Sequence, residues 1–123
     1  IAEEVENSMK IATKDHGVTI REFTVAPNIN PKKGLPCHEW YIEFETQPKD
    51  IIAFSKTLET EMLNQNIYYR DLIHGAIIKP LVVISVKKDG FNDYMRSVGR
   101  LGGQNKVPRL SNDRKIADKL NVF

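Results

Sequence analysis

The chain has 123 residues, of which 41% are hydrophobic and 28% charged, and its formal net charge is +2. This length holds one domain, which excludes a two-domain enzyme with a cleft between its domains, and the apolar content excludes a disordered chain. A single cysteine, Cys37, cannot form an internal disulfide, and the apolar run from Leu81 to Ile84 is far shorter than the roughly 20 residues of a membrane span.

The first half of the chain predicts a helix followed by two strands. Apolar residues at spacings of three and four predict a helix with one apolar face, and this helix should end at Gly17. Residues 18–25 are rich in branched and aromatic side chains and predict a strand, and a loop follows over 27–36. Alternation over residues 40–45 predicts a second strand, half buried with one solvent face, paired antiparallel with the first. The apolar positions are Ala2, Val5, Met9 and Ala12 in the helix, and Trp40, Ile42 and Phe44 in the second strand.

The second half predicts further helices around one more strand. Pro48 suits the first turn of a helix and Asp50 its N-terminal end, while residues 66–74 indicate irregular structure or a short strand. Residues 81–84 predict a central strand buried on both faces. A short helix over 91–98, an irregular segment over 99–110 and a final helix capped by Ser111 or Asn112 complete the order. These elements predict an α+β fold, in which helices pack mainly on one face of a small, mostly antiparallel sheet.

Charge is unevenly distributed along the chain. Residues 1–86 carry 9 basic and 12 acidic side chains, whereas residues 87–123 carry 9 basic and 4 acidic ones. A local positive field favours a phosphate-bearing partner, although a solvated basic face explains it about equally well. Within residues 96–109 there is no acid, and the basic side chains are Arg96, Arg100, Lys106 and Arg109.

Few other residues suggest chemistry. The histidines have no metal-ligand spacing, so no metal site is predicted. Cys37 and His38 are adjacent on a strand and point to opposite faces, which places them poorly as a catalytic pair. Glu43 and Glu45 share a strand face, and a solvated sheet face explains them without acid–base chemistry.

The most informative segment is residues 101–110, which we call the lysine segment. Its sequence is Leu-Gly-Gly-Gln-Asn-Lys-Val-Pro-Arg-Leu. Gly102 and Gly103 let the backbone change shape and approach a ligand closely. Lys106 is a flexible point charge able to follow a phosphate or carboxylate, and Arg109 could either bind an oxyanion or pin the segment to its own domain. Composition alone favours a structural loop whose charges face water.

Several segments together resemble the C-terminal subdomain of the auxin-responsive acyl acid amido synthetases, which belong to the luciferase-like, adenylate-forming superfamily. The glycine-rich form of the lysine segment is similar to that of the bacterial relatives. The order of helices and strands agrees along most of the chain. The matching segments are Asn-Ile-Tyr-Tyr-Arg at 66–70, Pro80-Leu81, Gly90-Phe91, Met95, and Gln-Asn-Lys-Val-Pro-Arg at 104–109.

The resemblance implies an enzyme that adenylates a carboxylic acid with ATP and Mg²⁺ and then transfers the acyl group to an amine, usually an amino acid. Residues 1–123 would be its mobile C-terminal lid, inactive alone and binding no cofactor by itself. A large N-terminal domain of the same polypeptide would hold ATP and the acid.

The resemblance also implies roles for the residues of the lysine segment. Lys106 would be the catalytic cation, brought to the α-phosphate when the lid closes. Gln104 and Arg109 would contact substrate, and Gly102 and Gly103 would give the loop its flexibility.

Two other functions stay open. The basic C-terminal third and the Gly-Gly-Gln tripeptide at 102–104 are compatible with a nucleic-acid-binding α+β module, but Trp40, Tyr41 and Phe44 do not interleave with basic residues as in an RNA-stacking sheet. A small-molecule regulatory domain is the third possibility and requires a formed apolar pocket. The lone thiol and the lack of a signal-like segment predict a cytoplasmic setting. Because the sequence opens at Ile1 directly into a helical pattern, we interpret it as a piece of a longer protein; trimming of a short tail is the alternative.

Overall fold

The computed structural model describes residues 1–100 and 106–123. These residues form three strands and four helices, in the order α-β-β-α-α-β-α, and a short 3₁₀ helix lies near the end of the chain. The sheet has the order β1-β2-β3. The elements are α1 (Ala2–His16), β1 (Ile20–Asn28), β2 (Cys37–Phe44), α2 (Ile51–Gln65), α3 (Ile67–His74), β3 (Val82–Ser85), α4 (Gly90–Ser97) and the 3₁₀ helix (Ala117–Lys119).

The sheet is mixed. β1 and β2 pair antiparallel along their whole length, as predicted, whereas β3 returns through α2 and α3 and pairs parallel with β2, with Trp40 opposite Val83. β2 is therefore the central strand and β3 lies at an edge, where Val82 is exposed. The prediction that residues 81–84 form a central strand buried on both faces was wrong, because β1 already occupies the other side of β2.

The two long helices pack on one face of the sheet. α1 ends where Gly17 adopts the left-handed conformation, and α2 begins after Asp50, whose carboxylate accepts hydrogen bonds from two backbone N–H groups, so Pro48 lies before the helix rather than in its first turn. Their apolar stripes meet the side chains of β1 and β2 in one core. The fully buried members of this core include Val5, Ala12, Phe23, Trp40, Ile42, Phe54 and Leu58.

The opposite face of the sheet is also covered. α4 and the C-terminal segment pack there around Tyr41 and Ala26. Tyr41 and Glu43 are consequently buried, and the predicted solvent face of the second strand was wrong. The α+β class is confirmed, with the longer ladder antiparallel and both long helices on one face.

Two helices differ from the sequence prediction. Residues 66–74, predicted as irregular or a strand, form α3, because the side chain of Asn66 accepts a hydrogen bond from the N–H of Tyr69 at 2.9 Å and caps the helix. The final helix predicted from Ser111 is reduced to the three-residue 3₁₀ helix. No helix among the described residues is long and apolar enough to cross a membrane.

Candidate functional site

Lys106 lies on the surface, directly before a segment that is fixed to the sheet. Its side chain is exposed, while the next residue, Val107, is buried in the core beneath α4. No carboxylate of the described residues lies within ion-pair distance of its ammonium group; the ion pairs of this region involve other cations. Lys106 can therefore contact a group outside the described residues, while the backbone on its C-terminal side is held in place.

The backbone after Lys106 runs along the outer edge of β1. The N–H of Val25 donates to the carbonyl of Arg109 at 2.9 Å, and the N–H of Ser111 donates to the carbonyl of Val25 at 2.9 Å. The hydroxyl of Thr24 donates to the carbonyl of Pro108 at 2.6 Å. These bonds add a short parallel bridge to the sheet, and they hold the segment after the lysine in one position.

Arg109 fastens the same segment through its side chain. Its guanidinium donates to the carboxylate of Glu6 on α1 at 2.6 Å and to that of Glu22 on β1, and it lies 4.4 Å from the ring centre of Phe23. Burial alone would lower the pKa of Arg109, but the hydrogen bonds to Glu22 and Glu6 outweigh it and raise the pKa above its usual value. Of the two roles open to this residue, the geometry supports pinning the segment to its own domain; its contact with substrate stays a prediction.

A groove of about 360 Å³ lies beside Lys106. Its walls come from the C-terminal part of α4, from residues 106–108 and from Ile116. Two cationic side chains border it, those of Lys106 and Arg100, and both are exposed. The residues that line it are Tyr94, Met95, Val98, Arg100, Lys106, Val107, Pro108 and Ile116. An anion with an apolar or aromatic part matches this combination.

The helix that precedes the lysine segment is held by a buried carboxylate. Glu43 on β2 accepts hydrogen bonds from the N–H groups of Asp89 and Phe91, at 3.0 and 3.2 Å, and so caps the N-terminus of α4. Arg21 lies 3.7 Å from the same carboxylate. Gly90 fits closely here, since an added Cβ would lie 2.5 Å from Cγ1 of Val86.

The other sequence-predicted residues fall into two groups. Gly102, Gly103 and Gln104 lie outside the described residues. Cys37 is buried, which raises the pKa of its thiol, and burial lowers the pKa of His38, whose ring stacks on Tyr69. No group of three or more His, Cys, Asp or Glu side chains that could hold a metal ion exists among residues 1–100 and 106–123.

Sequence reasoning missed the acidic residues that surround the lysine segment. Glu43 was interpreted as part of a solvated face, and Glu6 and Glu22 were not singled out at all. Glu6 and Glu22 lie more than 80 residues before Arg109 in the chain, so no local spacing links them to it. A charged residue predicted within a strand, such as Glu22 or Glu43, was the one available signal, because a buried carboxylate needs a partner.

Comparisons with known proteins found a matching family model and similar solved structures. Residues 3–115 match the model of the GH3 family C-terminal domain. A solved structure described as GH3.15 acyl acid amido synthetase is similar, with a TM-score of 0.71 and 21% identity over 98% of this chain and 24% of that chain. Another, AtGH3.15 acyl acid amido synthetase in complex with 2,4-DB, has a TM-score of 0.62 and 20% identity over 98% and 23%. No curated protein sequence matches the chain. The chain thus spans roughly a quarter of these structures, which support its fold.

Proposed function

The chain belongs to the GH3 family as a C-terminal domain, and from this premise we propose that it is the mobile lid of a longer, cytoplasmic acyl acid amido synthetase. That enzyme activates a carboxylic acid with ATP as an acyl-adenylate and transfers the acyl group to an amine, usually an amino acid. The lid has no activity alone, and it rotates onto an N-terminal domain of the same polypeptide that binds ATP and the acid.

The position of Lys106 carries this proposal. Attack of a carboxylate on ATP develops negative charge on the α-phosphate and on the leaving pyrophosphate. A cation that arrives only when the lid closes stabilises this transition state more than the ground state. Lys106 is exposed and borders an open groove with Arg100, whereas Arg109 is occupied by two carboxylates. Of these three cations, Lys106 and Arg100 therefore face outward, and Lys106 lies next to the anchored segment.

Mg²⁺ is assigned to the longer protein. The described residues of this chain contain no group of carboxylate or histidine side chains suited to a metal ion. No step through the metal falls to this chain, whose role is to supply positive charge and to exclude water from the closed site.

The test is acid-dependent ATP–pyrophosphate exchange by the full-length protein that contains this chain. Exchange that requires a carboxylic acid establishes the adenylation reaction. Lys106→Ala should lower the exchange rate by about 10²–10³-fold, as is typical for one well-placed electrostatic group. Lys119→Ala is the matched control, because Lys119 is also exposed but does not line the groove, and it should exchange at the wild-type rate. Wild-type exchange by Lys106→Ala would refute the lysine role.

The nucleic-acid alternative loses support from the charge pairing. Arg96, Arg109 and Arg114 each contact carboxylates of this chain, so three of the nine basic side chains of residues 87–123 are paired internally. A nucleic-acid surface relies on cations that are free to contact phosphates. Absence of RNA binding at low salt would eliminate this alternative.

A further inference from the structure

We propose that Glu43 and Arg109 are positioning residues for adenylation, which hold α4 and the segment after Lys106 on one pair of facing residues in the sheet. This inference rests on the proposed function, because it concerns the placement of Lys106 in that reaction. Neither side chain contacts substrate in this account; both act through the lysine.

The facing residues are Glu22 and Glu43. They are partners in the antiparallel ladder of β1 and β2, next to an irregularity of β1 between Ile20 and Glu22. Here each one has a partner, and the two partners lie on opposite sides of Lys106 in the sequence.

Glu43 holds the part of the chain that precedes the lysine. Its carboxylate accepts the N–H groups of Asp89 and Phe91, so it fixes the start of α4. Asp89 itself has a φ of 65° and its side chain makes no cap, which leaves this task to Glu43. α4 in turn packs in one core with Val107, the neighbour of Lys106. A shift of α4 is thereby transmitted to the backbone that carries the lysine.

Glu22 holds the part of the chain that follows the lysine, through Arg109. The guanidinium also reaches Glu6 on α1 and the carbonyl of Phe23 at 3.0 Å, so three elements meet at one side chain. With the backbone bonds to β1, these contacts fix the chain from residue 107 onward. Lys106 is thus an exposed side chain directly before a segment that these contacts hold in place.

Such anchoring is expected to matter for rate. A displacement of about 1 Å, caused by a mutation far from the reacting atoms, can cost about 10²-fold in rate. A lid that carries its cation on a fixed backbone avoids ordering that backbone again during each closure. The loss from a positioning variant should therefore appear in the adenylation rate constant rather than in the affinity for ATP.

The decisive experiment is a double-mutant cycle in the full-length protein, read by ATP–pyrophosphate exchange. Glu43→Gln keeps the shape but replaces one acceptor oxygen by an amide that cannot accept, and it should lower the exchange kcat about 10- to 100-fold with little change in the KM for ATP. In a Lys106→Ala background the same substitution should lower exchange less than about twofold, because the group that it positions is gone. An equal loss in both backgrounds, or no loss in either, would overturn the proposal.

Glu59→Gln is the matched control. Glu59 also joins distant parts of the fold, since its carboxylate accepts from the hydroxyl of Tyr69 at 2.5 Å and from the N–H of Leu81 at 3.1 Å, but it lies beside β3 at the opposite edge from the lysine segment. It should weaken thermal stability and leave the exchange kcat of the folded enzyme near wild type. A kcat loss equal to that of Glu43→Gln would indicate a general structural effect and contradict the proposal.

Arg109→Lys gives an independent result if Glu43→Gln does not fold. Lysine keeps the charge but cannot fork onto Glu6 and Glu22 together. The same loss of exchange kcat, again absent in the Lys106→Ala background, is expected, and an equal loss in both backgrounds would overturn the proposal. Absence of acid-dependent exchange by the unaltered full-length protein would instead refute the proposed function, so the two failures are distinguishable.

Discussion

The two faces of the sheet are held by different kinds of contact. On one face, α1 and α2 pack apolar stripes against β1 and β2, with Phe54 and Leu58 fully buried. On the other face, the eight-residue α4 and the C-terminal segment rely on polar contacts from the sheet as well as on a smaller core, and Glu43 is buried among them. The difference teaches that the first face provides stability, while the second places the lysine segment.

The largest expected effect on stability comes from a change on the sheet face that α1 and α2 cover. Phe54→Ala removes a ring that is fully buried between α1, α2 and the sheet, and it should lower the free energy of unfolding by about 3–5 kcal/mol. Urea denaturation followed by circular dichroism measures this. Ile52→Ala on the same helix, where Ile52 is 66% exposed, is the control and should change stability by about 0.5 kcal/mol or less. Equal effects of the two changes would contradict the assigned core.

The next largest effect on stability is expected for Arg109, which holds the C-terminal segment on the sheet. Arg109→Ala leaves the partly buried carboxylates of Glu6 and Glu22 without their shared partner and should cost about 1.5–3 kcal/mol in unfolding free energy. Arg96→Ala, which breaks an exposed pair with Asp93, should cost less than about 1 kcal/mol. Similar losses measured for both variants by urea denaturation would show that Arg109 is only a surface contact.

The close fit of α4 on the sheet can be tested at Gly90. Gly90→Ala places a Cβ 2.5 Å from Cγ1 of the buried Val86, and overpacking of this kind costs about 1–3 kcal/mol. Adding Val86→Ala removes the clashing atom, so the double variant should be less destabilised than the sum of the single changes. Strict additivity of the measured unfolding free energies would contradict the close fit of α4 on the sheet.

The smallest effect is a pH dependence. Burial raises the pKa of Glu39, but hydrogen bonds from Tyr41, Arg114 and Asn28 outweigh it, and the pKa lies below its usual value. A carboxyl with a lowered folded-state pKa contributes stability above its unfolded pKa of about 4.3 and loses that contribution as pH falls. The stability difference between wild type and Glu39→Gln should therefore shrink below about pH 4. A difference that stays constant from pH 7 to pH 3 would contradict the ion pair.

The same contrast explains what could be predicted from the sequence. The helices and strands of the apolar face follow from periodicity, which is a local signal, and α1, α2 and the β1–β2 pairing were confirmed. α3 was missed because its indicator is one capping residue, Asn66. The burial of Glu43 and the partners of Arg109 depend on contacts between residues more than 40 positions apart, which no spacing within the sequence reveals.

The site was therefore only partly predictable. The lysine segment was identified by its residue types and by its resemblance to a family, and the family is confirmed by the match over residues 3–115. The anchoring of that segment was not predicted, since a basic run in a glycine-rich stretch gives no information about which cation is paired. The structure separates Lys106, which is exposed, from Arg109, which is held by carboxylates.

The most direct test of the account restores a charge at one position. Lys106→Cys in the full-length protein should lose acid-dependent ATP–pyrophosphate exchange by about 10²–10³-fold, and alkylation with 2-bromoethylamine, which rebuilds a lysine-like ammonium group, should recover much of it. Cys37 is buried, and Lys106→Ser treated in the same way controls for its modification or that of other thiols. Recovery only in the alkylated Lys106→Cys variant is the predicted result. Full activity before alkylation, or no recovery after it, would contradict the role of Lys106.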